Sequence, residues 1–150
     1  MILYLDASSL VAIYLREHRR YEVVAEWRER ADWVAMSVAT YAEARAAFAR
    51  ALRSTSREPS LTPDDYAIAV EEIDIDWPAY AHVNCDEALI QQAGENAARY
   101  ALRGYDAVHL TSALMLRTAR TDEIHFSTWD RALADAAVSA GLSLAHEVNA

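Results

Sequence analysis

Lysine is missing from this chain: all 14 of its basic residues are arginine. Schiff-base chemistry and P-loop nucleotide hydrolysis, which both need a lysine amine, are therefore excluded. Cysteine is almost missing too. Cys85 stands alone, so it cannot close an intrachain disulfide, and it lacks the clustered Cys/His spacing of a zinc site. That usage points to a reducing compartment, the cytoplasm. With only 3 Gly and 3 Pro in 150 residues, collagen-like and disordered classes drop out. No apolar run approaches the roughly 18 residues of a membrane span. The segment Met1 to Asp6 has no basic residues ahead of its apolar run, so neither a signal peptide nor a membrane anchor is expected.

What is present suits one compact domain over residues 1–150: 53% of the residues are hydrophobic and 25% charged. A chain of this size removes roughly 68–70% of its unfolded surface from water, enough for a core without disulfides or structural metal. Short apolar runs alternate with longer helical patterns. Ile2–Leu5, Trp33–Ser37, Tyr80–Asn84, Glu123–Ser127 and Leu142–Val148 read as five strands. Helices are predicted over Leu10–Glu17 with Ser8 or Ser9 as cap, Tyr21–Arg30, Ala39–Leu52, Thr62 to about Ile73, Asp86–Leu102, Asp106–Arg117 and Asp130–Ser139. Thr62-Pro63-Asp64-Asp65 supplies a cap, a proline at the first helical position and acids facing the positive end of the helix dipole. Strands separated by helices require crossover connections, hence an α/β fold with a mostly parallel sheet of about five strands, covered on both faces. Ligands in such sheets bind at the carboxyl ends of the strands.

Four acids fall at that edge. Asp6 follows the first strand, Asp130 follows the fourth, Glu43 lies in the early turns of the helix after the second, and Asp106 opens a helix after Gly104-Tyr105. Singly, each reads as a helix cap or a solvated charge. Together they would repel one another and raise each other's pKa values unless a divalent cation neutralised them. An all-oxygen site favours Mg2+ or Mn2+, and such a site suits hydrolysis of a phosphodiester by metal-bound water. Ser8 and Thr128 accompany Asp6 and Asp130, either to hold the carboxylates from behind or merely to cap helices.

These residues form blocks. Leu5-Asp6-Ala7-Ser8, Glu43 after Ser37, Tyr105-Asp106-Ala107-Val108-His109-Leu110 and Phe126-Ser127-Thr128-Trp129-Asp130 resemble the PIN domain, most closely the VapC-type toxins of bacterial toxin–antitoxin pairs. The resemblance spans almost the whole chain. It implies a three-layer α/β/α sandwich, a metal-dependent endoribonuclease acting on single-stranded or looped RNA, a homodimer, and an antitoxin whose tail blocks the cleft. It also implies roles: Asp6, Glu43, Asp106 and Asp130 as catalytic metal ligands, with Ser8 and Thr128 behind them. His109 belongs to the same block, where packing or hydrogen bonding accounts for it as well as chemistry does. Thr111-Ser112 replace the smaller apolar pair often found after that block.

A formal charge of −9, still −5 without the four acids, sets a problem for RNA binding. Arg45, Arg50, Arg53 and Arg57, on or just beyond the helix of Glu43, and Arg99 with Arg103 before Asp106 are candidates for a phosphate-binding rim. Solvation and i,i+4 pairing would explain them equally. Tyr41, Tyr105 and Trp129 are candidate stacking platforms, and Trp27, Tyr66, Trp77 and Tyr80 are candidates for an interface or for the core. Two other functions compete. A phosphatase-type phosphoryl transferase would also carry an aspartate after its first strand, but needs a second aspartate where Ser8 stands and a lysine. A non-catalytic scaffold would keep the fold without turnover.

Overall fold

The structure is a computed structural model that describes residues 1–148. Four consecutive buried residues make β1 (Ile2–Leu5), as a strand covered on both faces requires. β2 (Trp33–Ser37) pairs on one side of it and β4 (Ile124–Ser127) on the other. β3 (Ala81–Val83) and β5 (Ser143–Leu144) are the edges, giving the order β3-β2-β1-β4-β5 with every pairing parallel. Alternate residues of β1 face opposite layers. Leu3 and Leu5 pack with Met36 against α1 (Ala7–Tyr14), α2 (His18–Arg30), α3 (Ala39–Arg53) and α4 (Pro63–Asp76). Ile2 and Tyr4 join Ala35 and Phe126 beneath α6 (Gly104–Ala119) and α7 (Arg131–Ser139). α5 (Glu87–Tyr100) packs outside α6 through Leu89, Ala93, Ala107 and Val108. The result is the expected three-layer sandwich. Each fully buried large side chain, Phe48 or Phe126 for example, contributes about 1.5–3 kcal/mol.

Several expected boundaries move. α1 starts at Ala7 because Asp6, not Ser8 or Ser9, is its cap. α4 begins where Thr62 and Asp65 form the capping box, but runs past Ile73 to Asp76 and into a 3-10 turn, Trp77–Ala79. The last strand is two residues rather than Leu142–Val148. Its ladder ends with Ala145 N–H donating to Phe126 O at 2.9 Å, after which the His146 ring turns in to Ser127 Oγ at 2.9 Å. Tyr80 is buried in the core under α1 to α4, and Trp27, Tyr66 and Trp77 are partly buried against the outside of that core. No described helix is long and apolar enough to cross a membrane.

The strand order places the site. The chain moves outward from β1 to β3, then returns to lay β4 on the other side of β1. The segments after β1 and β4 therefore diverge to opposite layers, leaving a crevice at the carboxyl edge between them.

Candidate active site at the carboxyl edge

Asp6 lies at the crevice, only 4% exposed. Its Oδ1 accepts the Ser9 N–H at 2.9 Å, which starts α1. Ser8 Oγ donates to both carboxylate oxygens, at 2.7 and 2.9 Å, and Thr128 Oγ1 donates to Oδ2 at 2.6 Å. The same two hydroxyls accept backbone N–H groups, Ser8 Oγ from Trp129 N across the crevice at 2.8 Å and Thr128 Oγ1 from Asp130 N on its own segment at 3.0 Å. Ser8 and Thr128 thus stitch the end of β1 to the end of β4 around Asp6. Burial pushes the Asp6 carboxyl above its ordinary range, opposed by the His109 charge and by the bonds from Thr128, Ser9 and Ser8.

Asp130 caps α7, accepting Leu133 N–H at 2.9 Å, and its other oxygen accepts Arg103 Nη2 at 3.1 Å. Arg103 also donates Nε–H to Asp106 at 2.8 Å, so one guanidinium, itself 78% exposed, spans two carboxylates. Glu43 accepts from His109 Nε2 at 2.8 Å. On the other side of the ring, Nδ1 lies 3.2 Å from the Tyr4 hydroxyl. Burial drives that hydroxyl far above its ordinary range, so it stays protonated. His109 is 1% exposed. Burial lowers its pKa, but the Glu43 bond and the charges of Glu43, Asp6 and Asp106 outweigh it, and the net displacement is upward.

Asp6, Glu43, Asp106 and Asp130 line one cavity of about 600 Å3 with Ser8 and His109. Its other charged walls are Glu17, Arg20, Arg50 and Arg103. Only part of the expected arginine rim is there. Arg45 instead donates to Tyr41 Oη at 2.7 Å along the same helix face, Arg53 and Arg57 line an adjoining depression, and Arg99 lines a cavity on the α5–α6 face. Helix periodicity explains this, since Arg45 and Arg99 do not share a face with the site acids. Glu17 and Arg20 were missed because the sequence pattern carries α1 through Glu17, whereas it ends at Tyr14 and α2 already begins at His18. The adjacent basic pair Arg19-Arg20 was the one available signal. Of the stacking candidates Tyr105 is 62% exposed at the cavity wall. Tyr41 packs on Trp77 and bonds Asp74, and Trp129 stacks on His146 with its ring centroid 4.0 Å away.

The donor set suits a hard cation: four carboxylates, one buried at an energetic cost, with hydroxyls behind them and no sulfur. Among the described residues no three His, Cys, Asp or Glu side chains stand in a ready metal-ligating group. The Arg103 guanidinium spans the two acids instead, as their counter-charge.

Comparison with known proteins agrees with this geometry. The PIN domain family matches residues 3–139. Ribonuclease VapC45 of Mycobacterium tuberculosis (strain CDC 1551 / Oshkosh) is 34% identical over 144 residues, 96% of this chain and 94% of that protein. Ribonuclease VapC49 of strain ATCC 25618 / H37Rv matches to the same extent. Among solved structures, VapC20 of Mycobacterium tuberculosis, a Sarcin-Ricin loop cleaving toxin, superposes with a TM-score of 0.64 at 16% identity, covering 93% of this chain and 95% of that one. VapBC2 of Rickettsia felis, bound to a DNA fragment from its promoter, gives 0.62 at 14% identity over 96% and 97%. With its strand order, its ordered acidic blocks and a third of its residues shared with two ribonucleases along nearly its full length, this chain belongs to the PIN-domain family, on its VapC-type branch.

Proposed function

We propose that the protein is an endoribonuclease that uses Mg2+ or Mn2+ and acts as the toxin of a toxin–antitoxin pair. One observation carries the reading: Asp6, Glu43, Asp106 and Asp130, from four separate segments, line a single cavity at the carboxyl edge of the sheet. These four acids are the proposed catalytic metal ligands. A bound divalent ion would supply a water of lowered pKa and offset the negative charge of the phosphodiester. The chain's own residues do the rest. Ser8 and Thr128 hold Asp6 and tie it to the backbone of Asp130, so two ligands sit on one hydrogen-bonded frame. The His109 Nε2–H holds Glu43, since a carboxylate can only accept. With both ring nitrogens engaged and the ring buried, His109 positions rather than exchanges protons with substrate. Arg103 is exposed, and with a metal held by Asp106 and Asp130 its fork would be available to phosphate oxygens. Tyr105 offers an exposed ring to an unstacked base.

The ribonuclease names of the VapC relatives support an RNA substrate and the solved VapBC pair supports a cognate antitoxin protein, while a homodimer and action in the cytoplasm complete the proposed reading. Purified protein is expected to cleave RNA with Mg2+ or Mn2+ and to stop in excess chelator. Asp106→Asn should abolish cleavage with an unchanged melting temperature, because its partner Arg103 is a surface cation. Sequencing of cellular RNA 5′ ends after brief expression would identify the target as one dominant cut site. Cleavage that survives chelator or Asp106→Asn removes the reading, and a folded protein inert with both metals is a scaffold.

A further inference from the structure

The acidic cavity does not stop at its own walls. Through Val11, Glu17, Ala47 and Arg50 it is continuous with a second depression, of about 500 Å3, whose other charged walls are Arg53 and Arg57. This one meets a third, of about 390 Å3, at Leu15, Glu17 and Arg57, where Arg16, Arg19 and Arg20 enter. Six arginines and two glutamates line these two depressions, in a chain with a formal net charge of −9. The cations are concentrated on one strip against the field of the whole molecule.

The strip is organised rather than neutralised. Glu17 Oε2 faces Arg20 at 3.6 Å and Oε1 faces Arg57 at 3.5 Å, so one carboxylate joins the α1–α2 turn to the loop after α3. On either side of it Arg16 and His18 have φ of +49° and +40° without being glycine. Left-handed backbone is disfavoured for an L-residue, and here it sets the direction of the arginine turn. Arg19, Arg50 and Arg53 are exposed and form no ion pair among the described residues, whereas Arg16, Arg20 and Arg57 do.

Resting on the nuclease reading, we propose that these two depressions form a phosphate track along which single-stranded RNA extends from the acidic cavity, with Arg19 and Arg53 as outer contacts. Guanidinium forks match phosphate oxygens in pairs and read no base, so the track positions the strand and leaves sequence choice to the cavity. Continuity with the proposed cleavage site favours RNA over an acidic peptide.

The test is fluorescence anisotropy of a labelled oligouridylate of about 15 nucleotides, long enough to occupy cavity and track, in chelator so that nothing is cut. Arg19→Gln with Arg53→Gln is expected to weaken binding about tenfold at low salt and to lower the slope of log affinity against log salt by about 1.4. Arg30→Gln with Arg120→Gln removes the same charge from two ion pairs outside the track, and should stay within about twofold of wild type. All four side chains are exposed, and matched melting temperatures would verify folding. Equal losses in both doublets, or no loss in the first, overturn the track. Oligoglutamate bound as tightly as the RNA at matched charge also overturns it, in favour of an acidic peptide. RNA bound in chelator but never cleaved with Mn2+ overturns the nuclease reading alone. Cleavage by wild type with normal binding by the first doublet overturns the track alone.

Discussion

Asp6 is asked to begin a helix, join two strand ends and keep a charge out of water with the same two oxygens. The uncharged isostere separates these tasks. In Asp6→Asn the amide oxygen can still accept the Ser9 N–H and Ser8 O–H and the amide N–H2 can donate to the Thr128 oxygen, so the charge is removed with the loss of one acceptor, that of the Thr128 O–H. A carboxyl whose folded pKa is raised stabilises the fold below the ordinary aspartate range and loses that contribution as pH rises through the folded value. In chelator, therefore, Asp6→Asn is expected to melt at or above the wild-type temperature at pH 7, and the gap should shrink toward pH 4. Asp6→Ala should melt lower, because it also removes the α1 cap, a loss of about 1 kcal/mol. Equal pH dependence in wild type and Asp6→Asn would mean that burial does not charge Asp6 the cost inferred.

Tyr4 makes a second case at this scale. Tyr4→Phe keeps the ring, which stacks on Phe126 at 5.2 Å between centroids, and removes only the hydroxyl from His109 Nδ1. Leaving that nitrogen unpaired in the core should cost about 1–3 kcal/mol. Looser placement of Glu43 should lower cleavage several-fold. In a Glu43→Gln background the same change should cost no further activity, because the residue being positioned is gone. Independent losses in a double-mutant cycle would make Tyr4 a packing residue and nothing more. The His109 block was visible in the sequence; its link to Tyr4 across 105 positions was not, because nothing local records which face of β1 meets which turn of α6.

Elements were legible where pattern and cap agreed. Thr62-Pro63-Asp64-Asp65 starts α4 where its side chains say it should, and the apolar run Ile2–Leu5 is the central strand. Ends without such a signal moved. The expected strand Leu142–Val148 is alternating and apolar enough to continue, but His146 is drawn off the ladder onto Trp129 and Ser127, a tertiary contact that no local propensity carries. That clasp has a pH signature. Burial lowers the His146 pKa, partly offset by its bond to the Glu147 carbonyl and by the Asp6 charge. A histidine with a depressed folded pKa lends stability that is complete above the ordinary value near 6.5 and is lost as pH falls through that window. Wild type is expected to lose more melting temperature between pH 7 and pH 5 than His146→Gln does. Identical losses would place the acid sensitivity elsewhere, for example at His82, whose pKa is also displaced downward on balance, by burial.

At the scale of the whole molecule, helix–strand alternation determines a parallel sheet but not its order. Only the return of β4 to the free side of β1 brings the turns carrying Asp6 and Asp130 together, and that return depends on the packing of α6 and α7 over Tyr4 and Phe126. The charge balance has the same character: 23 acids and 14 arginines predict repulsion from RNA, whereas the fold gathers arginines on one strip beside the acidic cavity. Phosphates on that strip meet six guanidinium groups at short range against two lining glutamates, Glu17 and Glu58, while charges farther off than a Debye length of about 8 Å at physiological salt are screened. Affinity should therefore exist despite the net charge, yet with a modest salt response. The slope of log affinity against log salt for oligouridylate, measured in chelator, is expected to correspond to no more than about five released counterions. Adding a divalent ion to the Asp106→Asn protein should raise affinity, since the cation would remove repulsion between the remaining cavity carboxylates and the phosphate nearest them. A steeper slope would mean that RNA contacts cations well beyond the strip, and no response to the ion would detach the acids from the path of the strand.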